Sequence, residues 1–285
     1  MALRGYLIER YNNMADSYTC YRLMEEATAL GIDLQLVGIE DSYIQDGIIY
    51  NSGKILHPCD FVINRYKIGK LREQINALAK RTYNLSDAFA AYVNKYEQVR
   101  SLRSDAFTIP QYILSTTSCG YNTIVSHLGT SFIAKGLESS MGKEIFLIQN
   151  EEDLNTIRTQ FGSTKEWLFE QYISESKGKD IRLFAIRDKA IAAMIRKSED
   201  DFRANVALGA SVEAVKLTPT MQQIVKDIYD TTHLDFVGID LLFGKDKFYL
   251  CEINVMPGLE GIEKASGILI GKCIMETIKN DFSNE

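Results

Sequence analysis

The chain is 285 residues long, 46% hydrophobic and 25% charged, with a net charge of −6. These values describe a globular protein with ample core, and they exclude a basic nucleic-acid or anionic-membrane footprint. No apolar run approaches the ~20 residues of a membrane span, and the start, MALRGYLIERYNN, lacks the apolar stretch of a secretory signal.

The first 85 residues alternate strand and helix signals. Gly5–Arg10 reads as a strand. Ser17–Leu30 carries Leu23, Met24, Ala27 and Leu30 at helical spacing and stops at Gly31, giving a helix. Asp33–Ile39 follows as a second strand, and Asn51-Ser52-Gly53 marks a hairpin between Ile48–Tyr50 and Lys54–Leu56. Asp60–Arg65 is a further strand and Gly69–Arg81 a helix. Ser86-Asp87 caps one long helix running to about Ser104, before Pro110.

Short strands are expected at Gln111–Ser115, Ser131–Lys135 and Lys143–Ile148, then a helix opened by Asn150-Glu151-Glu152-Asp153, acidic in its first turn as the helix dipole favours. Trp167–Ile173 reads as a strand. Hairpins dominate the last third: Ile181–Ile186 with Ala190–Arg196, and Phe236–Phe243 with Phe248–Asn254. Between them Thr218-Pro219 starts a helix, and Ile268–Asn280 closes the chain as another. The pattern is α/β throughout, with no internal repeat or low-complexity linker. Five scattered cysteines, odd in number and without C-x-x-C spacing, argue against a disulfide framework or structural zinc and for a reducing, cytoplasmic setting.

Two common phosphate-binding loops are absent. The first strand–helix junction reads ERYNNMADS rather than G-x-G-x-x-G. Gly136 to Glu144 (GLESSMGKE) has five residues between its glycines where a P-loop needs four, and Glu144 where Ser or Thr would meet Mg²⁺. What remains is a strand ending in Lys135 before a small-residue turn. That lysine can reach a phosphate, or simply be solvated.

The acidic hairpin is more informative. Asp240 interrupts FVGIDLLF, and Glu252 and Asn254 sit near the end of FYLCEIN. Residues two apart on a strand share a face, so Glu252 and Asn254 point together. An odd connecting loop would bring Asp240 opposite Glu252, and an even one would offset it. Three hard oxygen donors on one sheet face suit Mg²⁺ against phosphates. The alternative is that one carboxylate faces solvent and another pairs with an arginine. Cations gather nearby in sequence: Arg182, Arg196 and Arg203, which can hold a phosphoryl group or a carboxylate, or serve as ordinary ion pairs.

Taken in order, these motifs resemble the ATP-grasp carboxylate–amine ligases, in the RimK-like branch of glutamate ligases. The matching pieces are Asn94-Lys95, Lys135 before the lid turn, EQYI (Glu170–Ile173), GKDIR (Gly178–Arg182), DFRAN (Asp201–Asn205), VGIDLL (Val237–Leu242), and EIN followed by PGLEGIEKASG (Pro257–Gly267). The likeness runs from about residue 85 to 280. It implies an ATP-grasp fold behind an N-terminal α/β domain, divided as 1–85, 86–168 (lid) and 169–285 (metal-bearing).

By that resemblance Lys95, Lys135 and Arg203 contact ATP phosphates, Gln171 and Tyr172 line the adenine pocket, and Asp180 meets the ribose. Arg203, Arg182 and Asn205 serve phosphoryl transfer, and Asp240, Glu252 and Asn254 hold two Mg²⁺ ions, with Mn²⁺ as a substitute. The implied chemistry joins an amino acid, glutamate above all, to a peptide, protein or small-molecule carboxylate through an acyl phosphate. A cytoplasmic homo-oligomer without nucleic-acid or membrane partners is expected. The competing readings are the same chemistry on a metabolite or amino-acid carrier, and a nucleotide-binding regulator without catalysis. His57, His127 and His233 match no motif. Gln171 stands where glutamate is frequent in the branch, the lid turn is poor in glycine, and Val255-Met256 replace smaller polar residues near the substrate side.

Overall fold

The computed structural model describes residues 2–13, 17–66, 69–139, 142–199, 201–204 and 209–283. The N-terminal part is built from β1 (Arg4–Glu9), α1 (Tyr18–Ala29), β2 (Asp33–Gly38), a meander of β3 (Ser42–Gln45), β4 (Ile48–Asn51) and β5 (Lys54–Ile55), then β6 (Cys59–Asn64), α2 (Lys70–Asn76) and β7 (Ala79–Tyr83). The strands β2-β1-β6-β7 form one parallel sheet. Ser17 caps α1 by accepting from the Cys20 N–H, and Gly31 takes a positive φ just past its end, as the local sequence implies.

Two helix expectations are corrected. The helix expected over Gly69–Arg81 ends at Asn76, because AKRTY pairs as a parallel edge strand against β6. Pairing and a buried Tyr83 override the helical propensity of Ala, Lys and Arg there. The long helix expected from Ser86 to Ser104 is two short ones, α3 (Ser86–Tyr92) and α4 (Lys95–Ser101). Asn94 breaks it: its side chain accepts from the Tyr96 N–H, which makes it the N-cap of the second helix.

The next part comprises β8 (Phe107–Thr108), β9 (Tyr112–Thr116), α5 (Tyr121–Leu128), β10 (Phe132–Gly136), β11 (Ile145–Ile148), α6 (Glu151–Phe161) and β12 (Glu166–Gln171). Its antiparallel sheet has the order β11-β10-β12-β9. It owns a separate core in which Phe132, Trp167 and Phe169 pack against Ile124, Leu154 and Ile157 of its two helices.

The last part holds β13 (Lys179–Ile186), β14 (Lys189–Lys197), β15 (Ser211–Val215), α7 (Pro219–Thr232), β16 (Phe236–Phe243), β17 (Phe248–Asn254), α8 (Glu260–Ser266) and α9 (Ile270–Ser283). Its sheet runs β15-β14-β13-β16-β17-β8. One side packs on α7 through Ile224, Val225 and Ile228. The other side shares a core with the N-terminal part, where Leu7, Leu23, Phe61 and Tyr83 meet Phe184, Phe236, Ile274 and Ile278.

Polar contacts reinforce that junction. Asn84, buried, donates to the carbonyls of Phe236 and Val255 and accepts from the Phe236 N–H. Asp281 on α9 accepts from the Tyr83 hydroxyl at 2.6 Å and from Arg187, which also reaches Asp235. Val255 packs into the core and is 5% exposed.

Candidate active site

The acidic hairpin owes its arrangement to a register shift. Phe243 pairs with Phe248 across the four-residue turn, and Leu241 with Leu250. Continued regularly, this ladder would set Cys251 opposite Asp240 and turn Glu252 into the core, since a one-residue slip exchanges the faces of a strand. A β-bulge at Cys251 intervenes, so that Asp240 pairs with Glu252 and Gly238 with Asn254. The even loop would have offset the carboxylates; the bulge aligns them.

Across the same sheet, oppositely charged residues sit directly opposite each other. Arg196 pairs with Asp180, and Arg182 with Asp240. Arg182 forms a fork on Asp240, with Nε–Oδ1 at 2.7 Å and Nη2–Oδ2 at 2.6 Å. Arg196 forms a second fork on Asp180, both bonds at 2.6 Å, and reaches Asp240 at 2.8 Å. Thus the arginine pairing considered from sequence does occur at Asp240, on the face it shares with Glu252.

Burial alone would raise the Asp240 carboxyl, but the Arg182 and Arg196 guanidiniums outweigh it and hold the pKa at about 2. Burial pushes Asp180 up to about 6, with Arg196 opposing and the Asp240 charge adding to the rise. Arg196 is buried, yet its two carboxylates hold it firmly protonated.

Three cations close the site from the lid side. Lys135, on β10, contacts Glu170 on β12 at 2.6 Å and donates to the Cys251 carbonyl at 2.9 Å; the lysine and Glu170 are both buried. Burial lowers the Lys135 pKa, but Cys251, Glu170 and Glu252 raise it further, so the ammonium stays charged. Lys95, at the start of α4, lies 3.5 Å from Glu252 and donates to the Ser139 carbonyl at 2.5 Å. Arg203 is gripped by Asp201 at 2.7 Å and donates to the Gly142 carbonyl of the lid turn at 2.7 Å. The loop carrying Arg203 is tied at Gly178, which accepts from the Ser198 N–H and donates to the Phe202 carbonyl.

Most of these groups line a narrow cleft of about 80 Å³ between the four-stranded β11-β10-β12-β9 sheet and the six-stranded sheet. Eight of the residues selected from sequence line it: Lys135, Gln171, Tyr172, Asp180, Arg196, Arg203, Asp240 and Glu252. Lys95 and Arg182 join through Glu252 and Asp240. Asn254 shares the Glu252 face, and its Oδ1 accepts from the Met256 N–H to form the following turn. Asn205 lies outside the described residues.

Gln171 and Tyr172 continue β12 into the link toward the C-terminal sheet, and burial raises the Tyr172 hydroxyl. The motifs do not by themselves single out the partners Glu170, Asp201 and Cys251. Glu170 lies within EQYI and Asp201 within DFRAN, and a carboxylate interrupting the apolar run Trp167–Ile173 is the signal the sequence carries for the first. Two roomier clefts, of about 760 and 770 Å³, contain none of these residues.

A family model described as the RimK-like ATP-grasp domain matches residues 93–278. The chain belongs to this family. Its fold is the ATP-grasp fold. Similar proteins include the probable alpha-L-glutamate ligase of Haemophilus influenzae strain 86-028NP, 30% identical over 94% of this chain and 95% of its own length. Another is the probable alpha-L-glutamate ligase of Shewanella pealeana, 27% identical over 93% of the chain, of whose length the match spans only 61%.

The ATP-grasp ligase PsnB complexed with a minimal precursor superposes with a TM-score of 0.74 at 17% identity, covering 98% of this chain and 99% of PsnB. The macrocyclase MdnC from Microcystis aeruginosa MRC, bound to precursor peptide MdnA, gives 0.72 at 15% identity, covering 98% and 100%. Among the described residues no helix is long and apolar enough to cross a membrane.

The donor set suits the family's metal. Asp240, Glu252 and Asn254 offer carboxylate and amide oxygens on one face, the hard ligands Mg²⁺ takes alongside phosphates. Asp240 already accepts three contacts from guanidiniums, so an ion there must displace an arginine toward an anion.

Proposed function

We propose that the protein is an ATP-dependent ligase that joins the amine of an amino acid, glutamate first among candidates, to a carboxylate of a peptide or protein through an acyl phosphate. The observation that carries this reading is Asp240 facing Glu252 across β16 and β17, beside Arg182 and Arg196 and beneath Lys95, Lys135 and Arg203. Five carboxylates (Glu170, Asp180, Asp201, Asp240, Glu252) balance these five cations. ATP⁴⁻ arriving with two Mg²⁺ adds no net charge, so partners exchange without leaving a bare buried ion.

In this scheme Lys95, Lys135 and Arg203 take the phosphate oxygens, releasing the Ser139, Cys251 and Gly142 carbonyls they now hold. Gln171 and Tyr172 flank the adenine and Asp180 the ribose. Asp240, Glu252 and Asn254 hold magnesium, which supplies charge neutralisation to the phosphates. Arg182, freed from Asp240, and Asn205 attend the transferred phosphoryl group. An oxygen of the acceptor carboxylate attacks the γ-phosphorus and ADP departs. The amine then attacks the acyl carbon, forming C–N and breaking the C–O bond to phosphate, while the amine loses its proton. The three-part division at about residues 85 and 168 belongs to the same proposal, with the separately cored β9–β12 part as the lid.

The test is ADP release measured over a panel of amino acids with peptide, protein and metabolite acceptors. Turnover that requires both an amino acid and a peptide or protein supports the reading. Turnover with metabolites or carriers alone moves the acceptor class. Tight ATP binding without turnover on the whole panel favours a regulator.

A further inference from the structure

The parallel N-terminal sheet contains a switch point. From β1 the chain crosses to β2 on one side, while β6 lies on the other. In open α/β sheets ligands bind beyond the carboxyl ends of the strands at such a point. Here those ends present Glu9, the last residue of β1, and Arg65, the residue after β6. Their side chains meet at 2.8 Å, Arg65 Nε to Glu9 Oε1, and Cys20 donates to the same oxygen. The carboxylate fixes the plane of the guanidinium. Nη1 donates to the Pro257 carbonyl at 3.1 Å, and among the described residues Nη2 has no hydrogen-bond partner.

Pro257 lies between this pair and the metal face. A Cβ placed on Gly238 would stand 3.1 Å from Pro257 Cβ, 3.7 Å from Asn254 Cβ and 3.8 Å from Arg182 Nε. Arg65 is therefore one residue away from the donors and arginines where the amide would form. A second observation points to a polar ligand at this place. Asn64 Oδ1 is buried without a hydrogen-bond partner, and Asn64 lines a cavity of about 20 Å³ with Arg65, Met256 and Pro257. Asn64, with its unpaired acceptor, and Arg65 thus line the same small cavity.

We propose that Arg65, oriented by Glu9, binds the α-carboxylate of the incoming amino acid. This assignment rests on the ligase reading above. A carboxylate that is to be phosphorylated must lie against the ATP phosphates and cannot also rest on Arg65, beyond Pro257. The carboxylate at Arg65 is a spectator, and an amino acid reacting through its α-amine carries such a group two bonds from the nitrogen. Nη2, joined by Nη1 when the Pro257 carbonyl yields, gives the planar fork that suits it. Asn64 Oδ1 is an acceptor for the polar end of the same molecule.

The experiment compares the amino acid the protein uses best with its α-carboxamide, at saturating ATP and acceptor, in unsubstituted protein, Arg65→Gln and Arg65→Lys. The ratio of kcat/KM for acid over amide is expected to fall about 10- to 100-fold in Arg65→Gln, the worth of one charge-assisted hydrogen bond. Arg65→Lys falls between, and the KM for ATP does not move. Thermal unfolding records any loss from the Glu9 and Pro257 contacts, and Arg65→Lys carries the comparison where Arg65→Gln does not fold. An unchanged ratio, or discrimination lost instead between acceptors with free and amidated carboxylates, overturns the assignment while leaving the ligase reading intact. No turnover by the unsubstituted protein with any amino acid overturns both.

Discussion

Replacing Asp240 by Asn keeps its shape and removes a charge that two arginines share. The carboxylate is 2% exposed and accepts from Arg182 at 2.7 and 2.6 Å and from Arg196 at 2.8 Å. A carboxyl held at about 2, against an ordinary 3.8, is worth roughly 2–3 kcal/mol of folding free energy at neutral pH. Breaking one partner of a buried pair costs about 3–5 kcal/mol by a separate route. The two agree on about 3 kcal/mol, which for a chain of this size lowers the melting temperature by roughly 6–12 °C.

The sign with pH follows from the lowered pKa. The loss is fully present above pH ~4 and disappears as pH falls through about 2, where the unsubstituted carboxyl itself takes up a proton. Calorimetry of the ligand-free protein at pH 7 measures the first part, and the stabilisation added by Mg²⁺ and ATP measures the second, which Asp240→Asn should largely abolish. A melting temperature within 1–2 °C of the unsubstituted protein would refute the paired geometry, and an undiminished response to Mg²⁺ and ATP would refute the metal assignment.

Glu252→Gln should leave the fold standing, because its side chain is 25% exposed and its pairing with Lys95 is long at 3.5 Å, while ADP release falls at least ~10- to 100-fold. Equal turnover ends its role as a ligand. Gly178→Ala meets both a positive φ of 67° and a Cβ only 2.5 Å from the Ser198 carbonyl oxygen, so it should cost about 1–3 kcal/mol in thermal unfolding. The Arg203 loop should shift with it and raise the KM for ATP.

Burial raises the Asp281 carboxyl, but Arg187 and Tyr83 more than reverse this and hold it below its ordinary value. Asp281→Asn should therefore cost about 2 kcal/mol at pH 7, and the gap should close as pH falls below the ordinary carboxylate range. A gap that widens on acidification would contradict the pairing.

Much of this fold is legible locally. Ser17, Asn150 and Thr218 each cap the helix they announce, and the hairpin strands Phe236–Phe243 and Phe248–Asn254 begin and end where the apolar runs do. One failure is local, the Asn94 cap that splits the Ser86–Ser104 helix, and others occur where long-range pairing decides or no boundary residue stands. AKRTY becomes a strand because β6 lies beside it, and α5, β15 and α8 have no strong boundary signal. The site divides the same way. Motifs nominated Asp240 and Glu252, but their alignment depends on a bulge that no residue type announces. The pairing of Lys135 with Glu170 needed two strands, β10 and β12, to be brought together.

The bulge at Cys251 also separates two lengths that a plain hairpin would lock together. In a regular ladder the residue count of the turn at Gly244–Lys247 would by itself decide which face of β17 meets Asp240, and the present four residues would set Cys251 there instead of Glu252. With the slack taken up beside the carboxylates, the turn tip and the metal face answer to different residues. A one-residue change at the exposed end of this hairpin can thus be absorbed next to the carboxylates, and a relative with a differently sized turn can keep the same pair by gaining or losing one bulged residue.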